Sequence, residues 1–474
     1  MYLPIVVLSV YFLLIYAVSH FSARDTSNKT YFLANKRAPW YIVSLGMVSA
    51  SLSGVTFVSV PGWVVNSHFS YMQMVLGFIP GYILIALLLL PLYYKVGGVS
   101  IYAYFKKRFG EISFQTATGF FLLSKFVSVI IKGYFAIFIL QRFVFAAFEV
   151  PFALTVFVCM LIIYLYTFRK GVGALVWTDF IQTICIVASI VLIIFQVKNQ
   201  LGFSVGEMTS AVLQDTHSQI FTHGIGGFIK QFLSGAFIVV AMTGLDQDLM
   251  QKNLSCQRLK DSQKNMYWNS VAYLPINFLL LALGVLLMIY AQRIDFTLPQ
   301  KTDEILPLMV SSGLFGSVAI SLFSVGVVAA TFSTLDSSIV ALTTTLYVNV
   351  FNFEKKNNSI FVRQWLQLLI VVFVSVGIIV VNKLATKSIL DLVYTAVSYT
   401  TGPLLGMYAF GMFTKVKLRD RWVPIVAVLS PILTFLMQNM LKNVYDLGYL
   451  ALVLNGFITF VGLLIIGKYG NKEC

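Results

Sequence analysis

A hydroxyl-rich segment with a single carboxylate lies in the middle of a long apolar stretch, between residues 324 and 345. Its centre reads Ala-Ala-Thr-Phe-Ser-Thr-Leu-Asp-Ser-Ser over residues 329–338. Hydroxyls and a carboxylate at that depth of a membrane have no water to solvate them, so they must face the protein interior. Because sodium prefers hard oxygen donors, the segment indicates a buried cation site and, with it, an ion-coupled transporter.

The composition places this segment in a membrane. The chain has 474 residues, of which 58% are hydrophobic and 11% charged, and its mean hydropathy of +0.86 is too high for a water-soluble core. About thirteen apolar runs are long enough to cross about 30 Å of hydrocarbon. They lie at 2–20, 40–66, 71–94, 113–147, 151–168, 175–198, 228–245, 268–292, 313–350, 360–382, 389–413, 422–440 and 446–467. We therefore expect an all-α polytopic membrane protein.

The basic residues orient these spans. Most of the 33 lysines and arginines fall in loops on one side, which predicts an outer N-terminus and a cytoplasmic C-terminus. The net charge of +15 follows from this orientation signal, because the basic loops are short and scattered, and nucleic-acid binding is not indicated. The first span has no basic region in front of it, which favours a retained helix over a cleaved signal peptide. We expect a multi-pass protein of the plasma membrane, specifically the bacterial inner membrane.

Helix-breaking residues interrupt two of the spans. The span 40–66 contains Ser49, Ser51, Ser53, Gly54 and Thr56, followed by Pro61 and Gly62, and the span 228–245 contains Gly235 and Gly244. Interruptions at matching places in two halves are typical of inverted-repeat transporters with a site at the membrane midplane. Glycines in membrane helices also serve close packing, so the prediction depends on the pairing.

The pairing of interrupted spans divides the chain into segments. The two longest spans, 113–147 and 313–350, take the third place in each half, and the span 389–413 has a further predicted break at residues 402–403. We expect an extra N-terminal helix and inner loop at 1–39, a first repeat at 40–200, an outer loop at 201–227, a second repeat at 228–415, and two additional helices with a short tail at 416–474.

Charged residues inside the spans are candidates for function. Lys125, Lys132, Asp179 and Asp336 each cost about 2.5–3.5 kcal/mol at a helix centre, so they should face a cavity or one another. Lys125, Ser128 and Lys132 lie on one helical face, which suggests an anionic substrate with its carboxylate at Lys132. An internal ion pair is the structural alternative for each charge, and snorkelling toward an interface suits Lys125 better than Lys132.

The hydroxyls have a structural alternative too. Ser333 or Thr334 alone could bond back to the carbonyl four residues earlier, but together with Ser337 and Asp336 they favour a cation site. The four cysteines and four histidines have no disulfide or metal-ligand spacing. No nucleophile with a base and an orienting partner can be assembled, so we expect no enzyme and no cofactor beyond the coupling ion, sodium.

Four stretches together resemble the sodium:solute symporter family. They are residues 329–338, residues 177–182 (Trp-Thr-Asp-Phe-Ile-Gln), the predicted inner loop 246–252 and residues 49–62, and the resemblance extends over nearly the whole chain. It implies a LeuT-like fold with two inverted repeats of five helices, working by alternating access. It also implies a principal sodium site formed by main-chain oxygens of Ser49, Leu52 and Ala330 and the hydroxyls of Ser333 and Thr334.

Within the family, the bacterial sialic acid symporters are similar in most detail. This resemblance implies a substrate site with hydroxyls from the first broken helix, an aromatic residue and a glutamine from the next helix, and a cation. The matching residues are Ser51, Ser53, Thr56, Phe69, Gln73 and Lys132. Lys132 stands where arginine is usual. The ammonium group of lysine cannot make the two parallel hydrogen bonds that a planar guanidinium group makes with a carboxylate.

The same branch implies a second sodium site, matched here by Asp179, Ser333, Asp336 and Ser337. Asp336 stands where a serine is expected. Two carboxylates could bind the cation more tightly, or one could stay protonated, so the number of sodium ions per cycle remains open.

We therefore expect a sodium-coupled symporter that imports a small organic anion, with sialic acid as the first substrate to test, acting as a monomer in the lipid bilayer. One alternative is a symporter of a neutral sugar or amino acid. A second is a sensor with the same fold that has lost transport, although the short tail 468–474 carries no signalling domain.

Overall fold

The computed structural model is almost entirely helical. It describes residues 3–22, 25–143, 145, 149–221, 224–356, 359–384, 389–441 and 447–468. The chain ends at 1–2 and 469–474, whose sides of the membrane the charge pattern predicts, lie outside these residues. Apolar stretches become helices because a backbone in lipid must satisfy its hydrogen bonds internally.

The helices follow one another with short connections. The first eleven are α1 (Leu3–Ser22), α2 (Asn28–Leu33), α3 (Trp40–Ser51), α4 (Gly54–Ser67), α5 (Tyr71–Leu84), α6 (Leu90–Val96), α7 (Ala103–Arg108), α8 (Glu111–Phe143), α9 (Phe152–Thr167), α10 (Val172–Leu201) and α11 (Val205–Gln214). The others are α12 (Gly224–Val239), α13 (Gln247–Asn253), α14 (Leu259–Arg293), α15 (Ile305–Ser311), α16 (Gly316–Thr345), α17 (Phe353–Lys356), α18 (Ile360–Leu384), α19 (Ile389–Phe413), α20 (Val423–Leu441) and α21 (Ala451–Ile465).

Smaller elements complete the chain. Turns of π-helix lie at Ile85–Leu89, Val240–Gly244 and Leu346–Val350. Turns of 3-10 helix lie at Ala34–Lys36, His68–Ser70, Thr216–Ser218, Thr302–Glu304, Asp420–Trp422 and Gly448–Leu450. Two short antiparallel strands, β1 (Lys417–Leu418) and β2 (Gly467–Lys468), pair near the last helix.

In the part of the chain that the structure describes, ten helices are long and apolar enough to cross a membrane. This defines a multi-pass membrane protein. The helices α3 and α9 are apolar but shorter, at 12 and 16 residues. The count of about thirteen spans stays a prediction.

The first helix break lies within the stretch 49–56 of the interrupted span, next to Gly54, and not at Pro61 and Gly62. The chain leaves the helical conformation at Leu52 (φ −77°, ψ 83°), and α4 then starts at Gly54 with Ser53 as its cap. The prediction of a break at Pro61 and Gly62 is wrong, because both residues lie inside α4. A Cβ on Gly62 would lie 2.0 Å from the carbonyl oxygen of Thr302, so this glycine serves close packing.

The second break lies at Leu245 and Asp246, directly after the π-helical turn that ends at Gly244. The prediction was correct for Gly244 and wrong for Gly235, which lies inside the continuous helix α12. A Cβ on Gly235 would lie 2.0 Å from the carbonyl oxygen of Met74, so it allows α12 to approach α5.

The predicted break at residues 402–403 is also wrong. The helix α19 runs without interruption from Ile389 to Phe413 and carries Pro403 in its interior. Gly402 instead makes room for the side chain of Asn455 on α21. Prolines are tolerated in membrane helices because neighbouring groups satisfy the backbone that they free.

The hydroxyl-bearing helix α16 lies at the centre of the molecule. It packs against α10 and α8 and also against α1, α3 and α4. Every residue from Val327 to Thr345 is buried. The segment that the sequence analysis singled out therefore faces other helices along its whole length.

Candidate ion and substrate sites

Main-chain oxygen atoms are free at the first helix break. Because α3 ends at Ser51, the carbonyl groups of Ser49 and Leu52 accept no backbone N–H among the described residues. The turn is closed instead by a hydrogen bond from the Ser53 amide to the Ser51 carbonyl, with an N–O distance of 3.0 Å. Unwound carbonyls of this kind are the ligands that broken-helix transporters offer to cations.

The hydroxyls of α16 lie opposite these carbonyls. The Ser333 Oγ is 2.9 Å from the Ser49 Oγ, and the Thr334 Oγ1 is 3.5 Å from the Ala50 carbonyl oxygen. Thr334 also bonds back to the Ala330 carbonyl at 3.0 Å, which is the structural alternative considered above. The structure thus brings the predicted ligands of the principal sodium site to one buried place between α3 and α16, and their role as ligands stays a prediction.

Asp179 on α10 adjoins this place. Ser333 Oγ donates to its Oδ1 at 2.6 Å, and Ser49 Oγ lies 3.0 Å from its main-chain oxygen. On the other side of Ser333, Asp336 accepts from Tyr166 Oη at 2.5 Å and from Ser337 Oγ at 3.1 Å. The predicted residues of the second sodium site therefore form one hydrogen-bonded cluster.

Lys252 is a member of this cluster that the sequence analysis missed. Its Nζ is 2.6 Å from Asp179 Oδ2 and donates a hydrogen bond to Ser337 Oγ. The prediction of an inner loop at 246–252 is wrong, because the segment forms the short helix α13 and is almost fully buried. In the sequence, Lys252 looked like a basic residue of an inner loop, that is, a signal of membrane orientation. Asp246, a typical N-cap residue two positions after Gly244, could have indicated the start of a helix.

A cavity of about 100 Å³ lies between the two helix breaks. Three residues of the predicted substrate site, Ser51, Thr56 and Lys132, line it together with Ser128. Its other walls carry aliphatic side chains together with aromatic, polar and charged residues: Tyr71, Phe78, Tyr82, Phe121, Ser124, Lys125, Thr243, Asp246, Asp248, Tyr273, Asn277, Thr334 and Thr401. A mostly apolar cavity with a few convergent polar groups is the usual form of a small-molecule site.

The two lysines on the cavity wall differ in their partners. Lys125 Nζ makes ion pairs with Asp246 Oδ2 at 2.7 Å and Asp248 Oδ2 at 2.8 Å, across the second helix break. Lys132 is half-buried and has no ion pair or hydrogen bond within the described part of the chain. The internal ion pair that was open for both residues therefore applies to Lys125, and Lys132 is the cavity's free positive charge among the described residues.

The remaining predicted substrate residues lie elsewhere in this structure. Ser53 is buried as the cap of α4, 3.3 Å from the Thr56 hydroxyl. Phe69 packs edge-on against Phe278, and the Gln73 side-chain amide donates to the carbonyl of Ile220 in the connection between α11 and α12. The cavity does not include these three residues.

A membrane protein with two broken helices, a central hydroxyl-bearing helix and a cavity between the breaks belongs to the secondary transporters in its architecture. The sequence pattern of the sodium:solute symporter family matches residues 31–418, and the chain belongs to this family. Sodium is therefore its coupling ion.

Individual proteins support the assignment. The chain is 24% identical over 420 residues to the sodium/sialic acid symporter SiaT of Proteus mirabilis, covering 84% of this chain and 81% of that protein. It is 24% identical over 464 residues to the sodium/sialic acid symporter NanT of Aliivibrio fischeri, covering 93% and 89%. A solved structure of a Na+-coupled sialic acid symporter, substrate-bound and outward-open with a novel Na+ site, superimposes with a TM-score of 0.82 at 19% identity over 99% of both chains. This superposition shows that the protein has the LeuT-like transporter fold.

Proposed function

We propose that this protein imports sialic acid, or a small organic anion like it, together with sodium by alternating access. Both bacterial relatives described above carry sialic acid symport in their names and are matched over most of their length. The observation that carries the proposal is the contact of Ser333 with the Ser49 hydroxyl and of Thr334 with the Ala50 carbonyl at the break after Ser51. This place adjoins a cavity whose Lys132 has no ion-pair partner among the described residues.

The sodium ion bridges two elements in this proposal. It binds the main-chain oxygens of Ser49, Leu52 and Ala330 and the hydroxyls of Ser333 and Thr334, and so links the first broken helix to α16. A ligand that holds one conformation in this way shifts the affinity for a second ligand by a coupling free energy of about 1–3 kcal/mol. Sodium binding from outside therefore favours the outward-open state and raises substrate affinity, and its loss to the inside loosens the bridge.

The substrate carboxylate pairs with Lys132 in this proposal. Ser51 and Thr56 offer hydroxyls to the polar groups of the substrate from the neighbouring wall. Ser53, Phe69 and Gln73 are proposed to contact the substrate in a state that is open to the outside. Tyrosine and asparagine side chains in the cavity supply further hydrogen-bonding groups.

The architecture that goes with this function is the one expected from the sequence. We propose repeats at 40–200 and 228–415, an outer loop at 201–227, additional helices at 1–39 and 416–474, thirteen crossings, an outer N-terminus, a cytoplasmic C-terminus and a monomeric transporter. The two helix breaks, at Leu52 and at Leu245, fall in the first helix of each proposed repeat.

The test is uptake of labelled sialic acid into proteoliposomes with and without an inward sodium gradient. We expect accumulation that requires the gradient and is not reduced by an excess of neutral sugar. Thr334→Ala should abolish the sodium dependence. The matched control is Ser324→Ala, which removes a hydroxyl of the same helix that only bonds back to the Ile320 carbonyl, and it should transport normally.

Equal uptake with and without sodium, or full sodium dependence in Thr334→Ala, would contradict the proposed site. If a neutral sugar or amino acid, and not sialic acid, competed with the labelled substrate for uptake, the result would support the neutral-substrate alternative. Binding of sialic acid without exchange in a counterflow experiment would support the sensor alternative.

A further inference from the structure

The second cation site of this chain already contains a positive charge. The predicted ligands of a second sodium ion are Asp179, Ser333, Asp336 and Ser337. Lys252 Nζ contacts two of them, with an ion pair to Asp179 Oδ2 at 2.6 Å and a hydrogen bond to Ser337 Oγ. Both charged side chains are almost completely buried, so water does not compete for these contacts.

The remaining groups of the cluster are engaged with one another. Asp179 Oδ1 accepts from Ser333, so both oxygens of this carboxylate have a partner. The two oxygens of Asp336 accept from Tyr166 and Ser337. A sodium ion at this place would have to displace the ammonium group from Asp179 and from Ser337, and the two cations would repel each other at short range.

The position of Lys252 is fixed by its helix. The neighbouring Gln251 donates hydrogen bonds to the Phe32 carbonyl at 2.8 Å and to Thr344 Oγ1 at 2.9 Å. Asn253 is bonded to Asn265 on α14 at 3.0 Å. These contacts hold the last turn of α13 against α2, α14 and α16, with the ammonium group of Lys252 at Asp179.

We propose that the Lys252 ammonium group replaces the second sodium ion, so that this protein binds a single sodium ion, at the site of Thr334 and the first helix break. The lysine supplies the positive charge that a second sodium ion would bring to Asp179. This charge is part of the protein and does not leave during the transport cycle. This inference rests on the proposed sodium symport and specifies its stoichiometry.

The test is equilibrium binding of radioactive sodium to purified protein in detergent, counted as equivalents per chain. We expect one equivalent for the natural protein and none for Thr334→Ala, because Thr334 belongs to the first site only. Lys252→Met should bind two equivalents, and the double variant Lys252→Met/Thr334→Ala should bind one. The sodium dependence of uptake should change from a Hill coefficient of about 1 to about 2 in Lys252→Met, since a second ion then takes part.

Two controls separate charge from general damage. Lys252→Arg keeps the positive charge and should bind one equivalent. Lys170→Met removes another buried lysine, which donates to the Ser19 carbonyl at 3.0 Å outside the cluster, and should also bind one. If Lys252→Met does not fold, the natural protein and Thr334→Ala still decide whether the chain binds one sodium ion or two.

Each outcome has a distinct meaning. Two equivalents in the natural protein, or one that survives in Thr334→Ala, would overturn the inference and leave sodium symport intact. A folded Lys252→Met with a single equivalent would overturn the claim that the lysine occupies a site able to bind sodium. No bound sodium in the natural protein would instead overturn the proposed function itself.

Discussion

Replacing Lys132 by methionine tests the proposed anion site most directly. The side chain keeps its approximate volume and loses its charge. A carboxylate about 4 Å from an ammonium group gains about 4 kcal/mol at an effective dielectric constant of about 20, and hydrogen bonds to charged groups contribute about 1.5–3 kcal/mol. Because Lys132 is half-buried, the lower range applies, and we expect the KM for sialic acid to rise about 10- to 100-fold.

The measurement is the concentration dependence of uptake for sialic acid and for its uncharged methyl ester. The ester should show a change of less than about threefold, since it has no carboxylate to pair with the lysine. Ser128→Ala, on the same helical face and lining the same cavity, is the neutral control and should change both KM values alike. A rise of equal size for acid and ester in Lys132→Met would refute the pairing.

Three further predictions concern packing and charge outside this contact. Gly235→Ala should lower the melting temperature measured in detergent, because its Cβ would lie 2.0 Å from a main-chain oxygen of α5, whereas Gly119→Ala, with no atom within 4 Å, should not. Lys125→Met should destabilise the protein by about 3–5 kcal/mol by leaving two buried carboxylates without a cation, and adding Asp246→Asn should restore part of the loss in a denaturation experiment. Hydrogen bonds from a neighbouring serine and threonine hold the pKa of Asp25 below its usual range, so its stabilising effect is complete at neutral pH and declines as the pH falls below about 4. The difference in melting temperature between the natural protein and Asp25→Asn should therefore be smaller at pH 3 than at pH 7.

The sequence predicted the helical class and the place of α16 well, because apolar length and buried hydroxyls are strong signals. It indicated the two spans that are broken but named more residues than break them. Pro61 and Gly62 lie within α4, whereas the actual break at Leu52 and Ser53 directly precedes Gly54. In a membrane, glycine permits close approach of helices as readily as it ends them, so residue type alone does not locate a break.

The candidate site was predictable where one helix supplies the residues. The hydroxyls at 333, 334 and 337 and the carboxylate at 336 follow from their spacing on α16. The contacts of Lys252 were not predictable, because they depend on the fold of a seven-residue helix whose polar sequence resembles a loop. In the sequence, Lys125 and Lys132 differ only in their depth, and the structure separates them because Asp246 and Asp248 reach Lys125 across the second break.

The three lysines Lys125, Lys252 and Lys132 differ in whether a carboxylate of the protein neutralises them. Lys125 is neutralised by the carboxylates of the second break, and Lys252 is neutralised by Asp179. Buried charges are retained when they are paired or when they meet a ligand. Among the described residues, Lys132 is the lysine of the cavity that has no such partner, which is why we propose that it pairs with the substrate anion. In the same proposal, sodium binds at the first site, where oxygen atoms are available and no ammonium group is in contact with them among the described residues, and the two ligands bind to different sides of the same broken helix.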